Sequence, residues 1–414
     1  MMKNKIAAKK PRGQVMVLIC VSLVALMGMV AVVTDFSFMQ HQKNMMQTAA
    51  DSAAMAAAEE LNYGDQVAAG KADAATNGYT DGASSVTVAI NSPPSSGPNT
   101  ANSGYVEAIV SRPEPTYFLR VLGVNTMTVS TRAVAYEGNG PNCIYVMDPT
   151  ASGALAVNGD VTIASSCGLL VDSSSSSGLM AVGNVTVTAP DIGVVGNYSA
   201  TGGAILSPTP KIGAIAATDP LASIQEPTVG SCAHTSFSLN GNSGSSSAPY
   251  QLYPGTYCGG ISIHGNAVLH FNAGTYVLAG GGMNISANTT MTGTGVTFYN
   301  TTGTGGYGAI TLNGNTTANL SAPTSGPLAG MLFFQDRTVP NTAAGSTISG
   351  NATSTFDGAI YFPTTTVTFN GNSSANGYSI VVADQLTVSG NASIGSNYSS
   401  LTNGSPIKST ILAE

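Results

Sequence analysis

Residues 15–33, VMVLICVSLVALMGMVAVV, are apolar except for Ser22. At ~1.5 Å per helical residue this 19-residue run spans ~28 Å, close to the ~30 Å hydrocarbon core of a bilayer. The run predicts a transmembrane helix. A cleaved signal sequence is the competing reading, but its apolar stretch is usually shorter and followed by a small-x-small site. Here Val33-Thr34-Asp35 follows instead. The helical pattern continues through residues 36–61, which contain neither Gly nor Pro. Ala49, Ala53 and Ala57 recur at i, i+4 and i+8, with Ala50, Ala54 and Ala58 beside them. Such a stripe of small side chains lets another backbone approach closely and predicts helix packing. Helix propensity of Ala alone is the simpler account. Asn62-Tyr63-Gly64 reads as the helix end.

The period then changes. Ser85–Ile90, Tyr105–Val110 and Met127–Tyr136 alternate like strands, and Pro115–Gly123 reads as a short helix. Together with the Ala-rich helix they make a small α+β domain over residues 34–138. From residue 139 to 414 the chain is repetitive and all-β. An apolar-x-Gly-Asn/Asp word recurs with Gly at 159, 183, 265, 314, 350, 371 and 390. Close steps between these glycines are 24, 21 and 19 residues. Periods near 20 predict a stacked solenoid, most simply a right-handed parallel β-helix. A β-sandwich is the alternative, although its antiparallel turns need no fixed period.

Composition sharpens this picture. Only 8% of the 414 residues are charged and 49 are Gly, so the outer surface is hydroxyl and amide rather than ionic. Lys3, Lys5, Lys9, Lys10 and Arg12 form a basic tail over residues 1–14, with no acid among them. All 20 acids and the eight other basic residues follow. The one-sided cations predict a cytoplasmic N-terminus and an exported bulk. A nucleic-acid partner is excluded, since phosphate neutralisation needs clustered cations.

Export also suits the cysteines. Cys20 lies in the apolar run, and Cys143, Cys167, Cys232 and Cys258 lie beyond it. Four cysteines allow three connectivities. The separations of 24 and 26 residues match about one coil, favouring Cys143–Cys167 and Cys232–Cys258 as structural disulfides. Each would stabilise by ~3 kcal/mol on the chain-entropy account.

The chemistry of an enzyme is missing from the pattern. Solenoid hydrolases and lyases use grouped carboxylates, whereas Asp148, Asp160, Asp172, Asp191, Asp336, Asp357 and Asp384 are scattered. His264 and His270 sit six apart in a strand-like run and should share a face, but lack an acid and a nucleophile in pattern. Asp336 and Arg337 read as a structural ion pair. No Cys-x-x-Cys is present, His234 beside Cys232 is isolated, and no cofactor motif is found. Catalytic and metal residues are therefore expected to be none. Asp172, Ser174 and Ser176 match an Asp-x-Ser-x-Ser metal-ion signature, though the Gly-Asn repeats around them favour a serine-rich solenoid turn.

The first third of the chain resembles the N-terminal region of TadG-like proteins of the Flp/Tad pilus-assembly system. The residues that carry the resemblance are Gly13, Gln14, Asp35, Gln47, Ala49, Ala50, Asp51 and Ala53 to Ala58. The strand series through residue 136 also fits. Some TadG-like proteins carry a von Willebrand A domain, the context of the metal-ion signature above. The resemblance implies a non-enzymatic bacterial envelope protein, held by one span in the inner membrane with its bulk periplasmic or extracellular. Its partners would be the membrane and other pilus-assembly or secretion components, recruited through the anchor and the Ala-rich helix. Pilin relatives cleaved by prepilin peptidase carry Glu five positions after the Gly. Here that position is Leu18, which argues against processing as a pilin. The alternative function is a surface adhesin or stalk that binds glycans or cells.

Overall fold

A computed structural model describes residues 14–61, 65–286, 288–313, 315–374, 378–389, 392–402 and 404–414. The basic tail, the helix end at Asn62–Gly64 and the repeat glycines Gly314 and Gly390 lie outside these residues. The chain divides into two compact units, residues 1–138 with 409–414, and residues 139–408.

The first unit is built on one continuous helix, α1, Gln14–Glu59. A second helix, α2, covers Gln66–Thr76, and three strands follow: β1 Thr87–Asn91, β2 Tyr105–Pro115 and β3 Thr126–Asn139. β1 pairs antiparallel with β2, and β2 with β3, placing Val88 opposite Val110 and Ala108 opposite Ala133. Alternate residues Val106, Ala108 and Val110 of β2 are fully buried, as the period of two requires. The expected short helix is a single 3-10 turn, Leu119–Leu122. Two features depart from expectation. α2 is additional, and the C-terminal strand Lys408–Leu412 joins the sheet beside β3. The repeat domain therefore ends near residue 408 rather than 414.

The second unit is a parallel β-solenoid of about ten turns, not a sandwich. Its coils do not stack in chain order. From one end they run 232–252, 255–271, 274–294, 296–321, 331–356, 358–374 and 379–394, then 142–165, 168–188 and 192–207. The chain thus enters between two coils and winds outward to residue 212. It then crosses to the opposite end through residues 213–231, and winds back until 381–383 lies against 144–146 in parallel register.

The Gly-Asn words mark one corner of the coil. Gly159 pairs in register with Gly183, and Gly350 with Gly371. Gly159 and Gly183 have φ of +104° and +107°. A Cβ on Gly183 would fall 2.5 Å from the Gly159 carbonyl oxygen, so stacking at this corner demands glycine twice over. Inside, aromatic rings from successive coils form a ladder. Tyr257, Tyr276, Phe298 and Phe333 follow one another at centroid spacings of 5.9, 5.4 and 5.5 Å. Strands Met331–Gln335 and Ser379–Ala383 are buried at every position. Both faces of this side are covered, which explains their unbroken apolar runs. The crossing segment 213–231 supplies part of that cover, with Leu221 fully buried in the core.

Candidate functional site

The N-terminal helix changes character along its length. Large side chains from Val15 to Val33 are exposed all round the helix, as suits a lipid-facing surface. It is the one described helix long and apolar enough to cross a membrane. One turn further on, α1 is embedded in the first unit. Asp35 is buried and accepts backbone N–H bonds from Tyr117 at 2.9 Å, Phe118 at 3.0 Å and Leu119 at 2.7 Å. Its carboxylate thus closes the start of the 3-10 turn, whose first amides have no partner within the turn. Gln47 donates its side-chain amide to Asp51 at 2.7 Å and to the carbonyl of Arg132 on β3 at 3.0 Å. The structure therefore brings Asp35, Gln47 and Asp51 into one role, which is to fix α1 against the loop and sheet.

The alanine stripe needs a correction. Ala49, Ala53 and Ala57 are fully buried within this unit and do not form an open face. Ala49 and Ala53 share a core with Ala74, Val88, Ala108, Val110, Ala133 and Ala135. The close neighbour of the stripe is this chain's own α2 and sheet. A Cβ on Gly70 of α2 would lie 3.0 Å from the Ala53 carbonyl oxygen and 2.7 Å from Ile90. Small residues face small residues here because the helices and sheet approach closely, so the packing is intramolecular.

On the other face of β2, Glu107 is fully buried and collects donors from Asn91 at 2.9 Å, the Ser95 amide at 3.0 Å and Ser95 Oγ at 2.5 Å. It also pairs with Arg132, which bridges on to Glu414 at 2.6 Å. Burial acts to raise the Glu107 pKa, but these donors outweigh it and hold it down at about 2.

In the solenoid, Cys143–Cys167 and Cys232–Cys258 are disulfides with Cα separations of 5.7 and 5.5 Å. Each joins neighbouring coils, and the second fastens the terminal coil 232–252. Cys20 is free and exposed. Asp336 and Arg337 do not pair with each other as expected. Arg337 reaches the crossing segment, donating to the carbonyls of Leu221 at 2.7 Å and Ile224 at 3.0 Å. It pairs with Asp219 at 3.6 Å and Glu226 at 3.5 Å, and donates to Tyr361 Oη at 2.6 Å. Asp336 instead accepts from Thr301 at 2.5 Å and from Thr338. Asp172 holds the same segment further along, accepting the Ala217 amide at 3.1 Å. Burial pushes the Asp172 pKa up. Ser174 Oγ donates to the Pro149 carbonyl at 2.9 Å. Asp172 and Ser174 of the Asp-x-Ser-x-Ser word are thus engaged within the solenoid, and Ser176 is exposed in the turn that follows.

The histidines are separated. His264 closes the strand Gly255–His264, and His270 lies in the next strand, Val268–Phe271. A turn containing Gly265 at φ +115° intervenes, so the shared-face expectation fails. Each bonds a hydroxyl one coil away, His264 to Ser286 at 3.0 Å and His270 to Thr292 at 3.1 Å. His234 stacks on Tyr257 at 4.6 Å. Among the described residues no group of three or more His, Cys, Asp or Glu is placed to hold a metal ion. Sequence reasoning missed Asp219 and Glu226, whose only trace was a Pro-rich interval without the Gly-Asn word, and Tyr361, which sits in the strand Ser346–Phe362 with nothing to single it out.

No curated protein and no solved structure matches the chain. One family model does, that of the putative Flp pilus-assembly TadE/G-like domain, over residues 13–60. The matched span is α1 almost end to end, including Asp35, Gln47 and Asp51, the residues that seat the helix. Residues 13–60 of this chain thus match the TadE/G-like Flp pilus-assembly domain.

Proposed function

We propose that this chain is a non-enzymatic envelope protein of the Flp pilus-assembly or secretion machinery, inserted in the inner membrane by residues 15–33 with the solenoid exported. A Tad domain with an apolar helix and a β-solenoid fits a membrane-anchored, pilus-associated protein. The observation that carries the proposal is the continuity of α1. One unbroken helix is apolar and exposed over residues 15–33 and forms the core of a folded unit from residue 46 onward. Anchor and domain are therefore one rigid element.

The absence of enzymatic activity in the proposal rests on how the acids are used. Asp148, Asp172 and Asp336 accept hydrogen bonds within turns or from the crossing segment. The test combines topology with complementation. A periplasm-active reporter fused after residue 70 is expected to be active. Deleting the gene is expected to reduce pili, and a folded variant carrying Asp172→Asn, Asp336→Asn and Asp357→Asn is expected to restore them. Failure of that variant, with its β spectrum intact, would overturn the non-enzymatic reading.

A further inference from the structure

Besides the exposed run of residues 15–33, the first unit leaves a second apolar surface uncovered by its own fold. The loop between β2 and β3 is closed at its base by Thr116, whose N–H donates to Asn125 at 3.1 Å and whose hydroxyl donates to the Val124 carbonyl. Beyond this base the tip reads Tyr117-Phe118-Leu119-Arg120-Val121-Leu122. Val121 is 84% and Leu122 77% exposed, far above what a soluble loop tip needs. The tip is nevertheless held in place. Asp35 binds three of its amides, and Phe38 packs edge-on against Tyr117 at 5.1 Å. That seating turns the tip back along α1 and leaves a cleft of about 760 Å³ between them. Leu23, Met27 and Val30 line one wall, and Phe118, Val121 and Leu122 the other.

The level of the cleft decides its occupant. Leu23 to Val32 belong to the apolar run, so the tip stands beside helix residues at hydrocarbon depth. The loop's single cation, Arg120, is exposed and long enough to reach back to a lipid phosphate. We propose that Tyr117–Leu122 is a second membrane element, a hydrophobic tip that enters the outer leaflet and encloses a lipid acyl chain against α1. The tip would fix the height and rotation of the helix relative to the bilayer surface, which a single span cannot do. This inference rests on the reading of residues 15–33 as a membrane span.

The chain contains no tryptophan, so single introduced tryptophans report without background. Leu122→Trp and Val121→Trp probe the tip and Leu26→Trp probes the span, each in the full chain. The proteins are reconstituted in phosphatidylcholine–phosphatidylglycerol vesicles with ordinary or brominated acyl chains. All three are expected to emit at blue-shifted wavelengths and to lose most of their emission in brominated vesicles. Quenching at Leu26→Trp with water-like, unquenched emission at both tip positions would overturn the proposal and leave the span intact. Blue-shifted but unquenched tip reporters would mean a protein occupant and would equally overturn it. No quenching at any position would remove the span and the tip together. Both tip side chains are exposed, so the substitutions leave the core untouched, and an unchanged far-ultraviolet spectrum verifies this.

Discussion

The side-chain amide of Gln385 donates to the carboxylate of Asp148 at 2.8 Å across 237 residues of sequence. This bond joins the last coil to be wound to the first. Val381 and Leu386 pair in parallel with Ile144 and Leu155 at the same seam. Beside it the Gly140 amide donates to the Ile407 carbonyl at 3.0 Å, so the solenoid's entrance and exit are hydrogen-bonded neighbours.

That closeness predicts a permutation. Joining residue 407 to residue 140 by a short linker, and opening the chain between Val229 and Gly230, gives coils that follow one another in spatial order. Termini that lie close together tolerate such rearrangement. The permuted solenoid is expected to retain its β spectrum and melt within a few degrees of the unpermuted one. Loss of cooperative melting would contradict the coil order described above.

Arg337 is the main fastener of the crossing segment. Its removal breaks the ion pairs to Asp219 and Glu226 and frees two carbonyls, while Asp219 keeps the Tyr361 hydroxyl and Glu226 keeps the backbone amide of residue 337. Hydrogen bonds to a charged group are each worth about 1.5–3 kcal/mol, so Arg337→Ala is expected to cost roughly 2–3 kcal/mol. It should also speed proteolysis within residues 213–231. Arg337→Lys is expected to rescue little, because one ammonium cannot reproduce the planar fork that serves Tyr361 and two carbonyls at once. Thermal melts and limited proteolysis of the three proteins check both statements.

The buried alanines give a different outcome from a recruitment surface. Ala53→Leu adds volume where α2 already approaches to contact. Overpacking of this kind costs about 1–3 kcal/mol. The variant is expected to loosen the first unit itself, seen as protease sensitivity near α2, and not merely to weaken association of a folded protein. Met55→Leu, at an exposed position on the same helix, should be neutral.

Glu107 makes the first unit acid-sensitive. Its folded pKa, about 2, lies below the ordinary value of 4.5. The stability it supplies is therefore complete above pH 4.5 and is lost as pH falls toward 2. With Arg132 partly exposed, the contribution is on the order of 2 kcal/mol. Glu107→Gln is expected to lower stability at neutral pH and to flatten the acid limb of the stability curve. Urea melts of residues 1–138 with 409–414 intact, taken from pH 6 to pH 2.5, measure it.

The sequence carried the elements better than their order. The apolar run, the alternating strands and the Gly-Asn corners were each legible because each is a local pattern with a fixed period. Gly159 and Gly183 could be aligned from spacing alone. The interior entry point could not, since Ile144 meeting Val381 depends on which free sheet edge the last coil finds, and both edges carry the same apolar alternation. The alanine stripe announced close packing correctly, but a stripe does not specify whose backbone approaches it. Only the core shared with Ala74 and Ala108 identifies the neighbour. Arg337 was conspicuous as a cation in an apolar run, but its partners in the crossing segment lie over a hundred residues away.

The coil order has a consequence for the chain as it is made. Synthesis proceeds from the N-terminus, so residues 142–212 emerge first and can stack three coils. The outer edge of 142–165 is then an open parallel edge, a template for wrong pairing. Its native neighbour, 379–394, arrives only after some two hundred further residues. Loop closure over that length must be completed before the contact returns any free energy. Assembly of this solenoid is thus gated by the last coil to emerge, and a chain stalled before residue 379 is left as a sticky half-built stack.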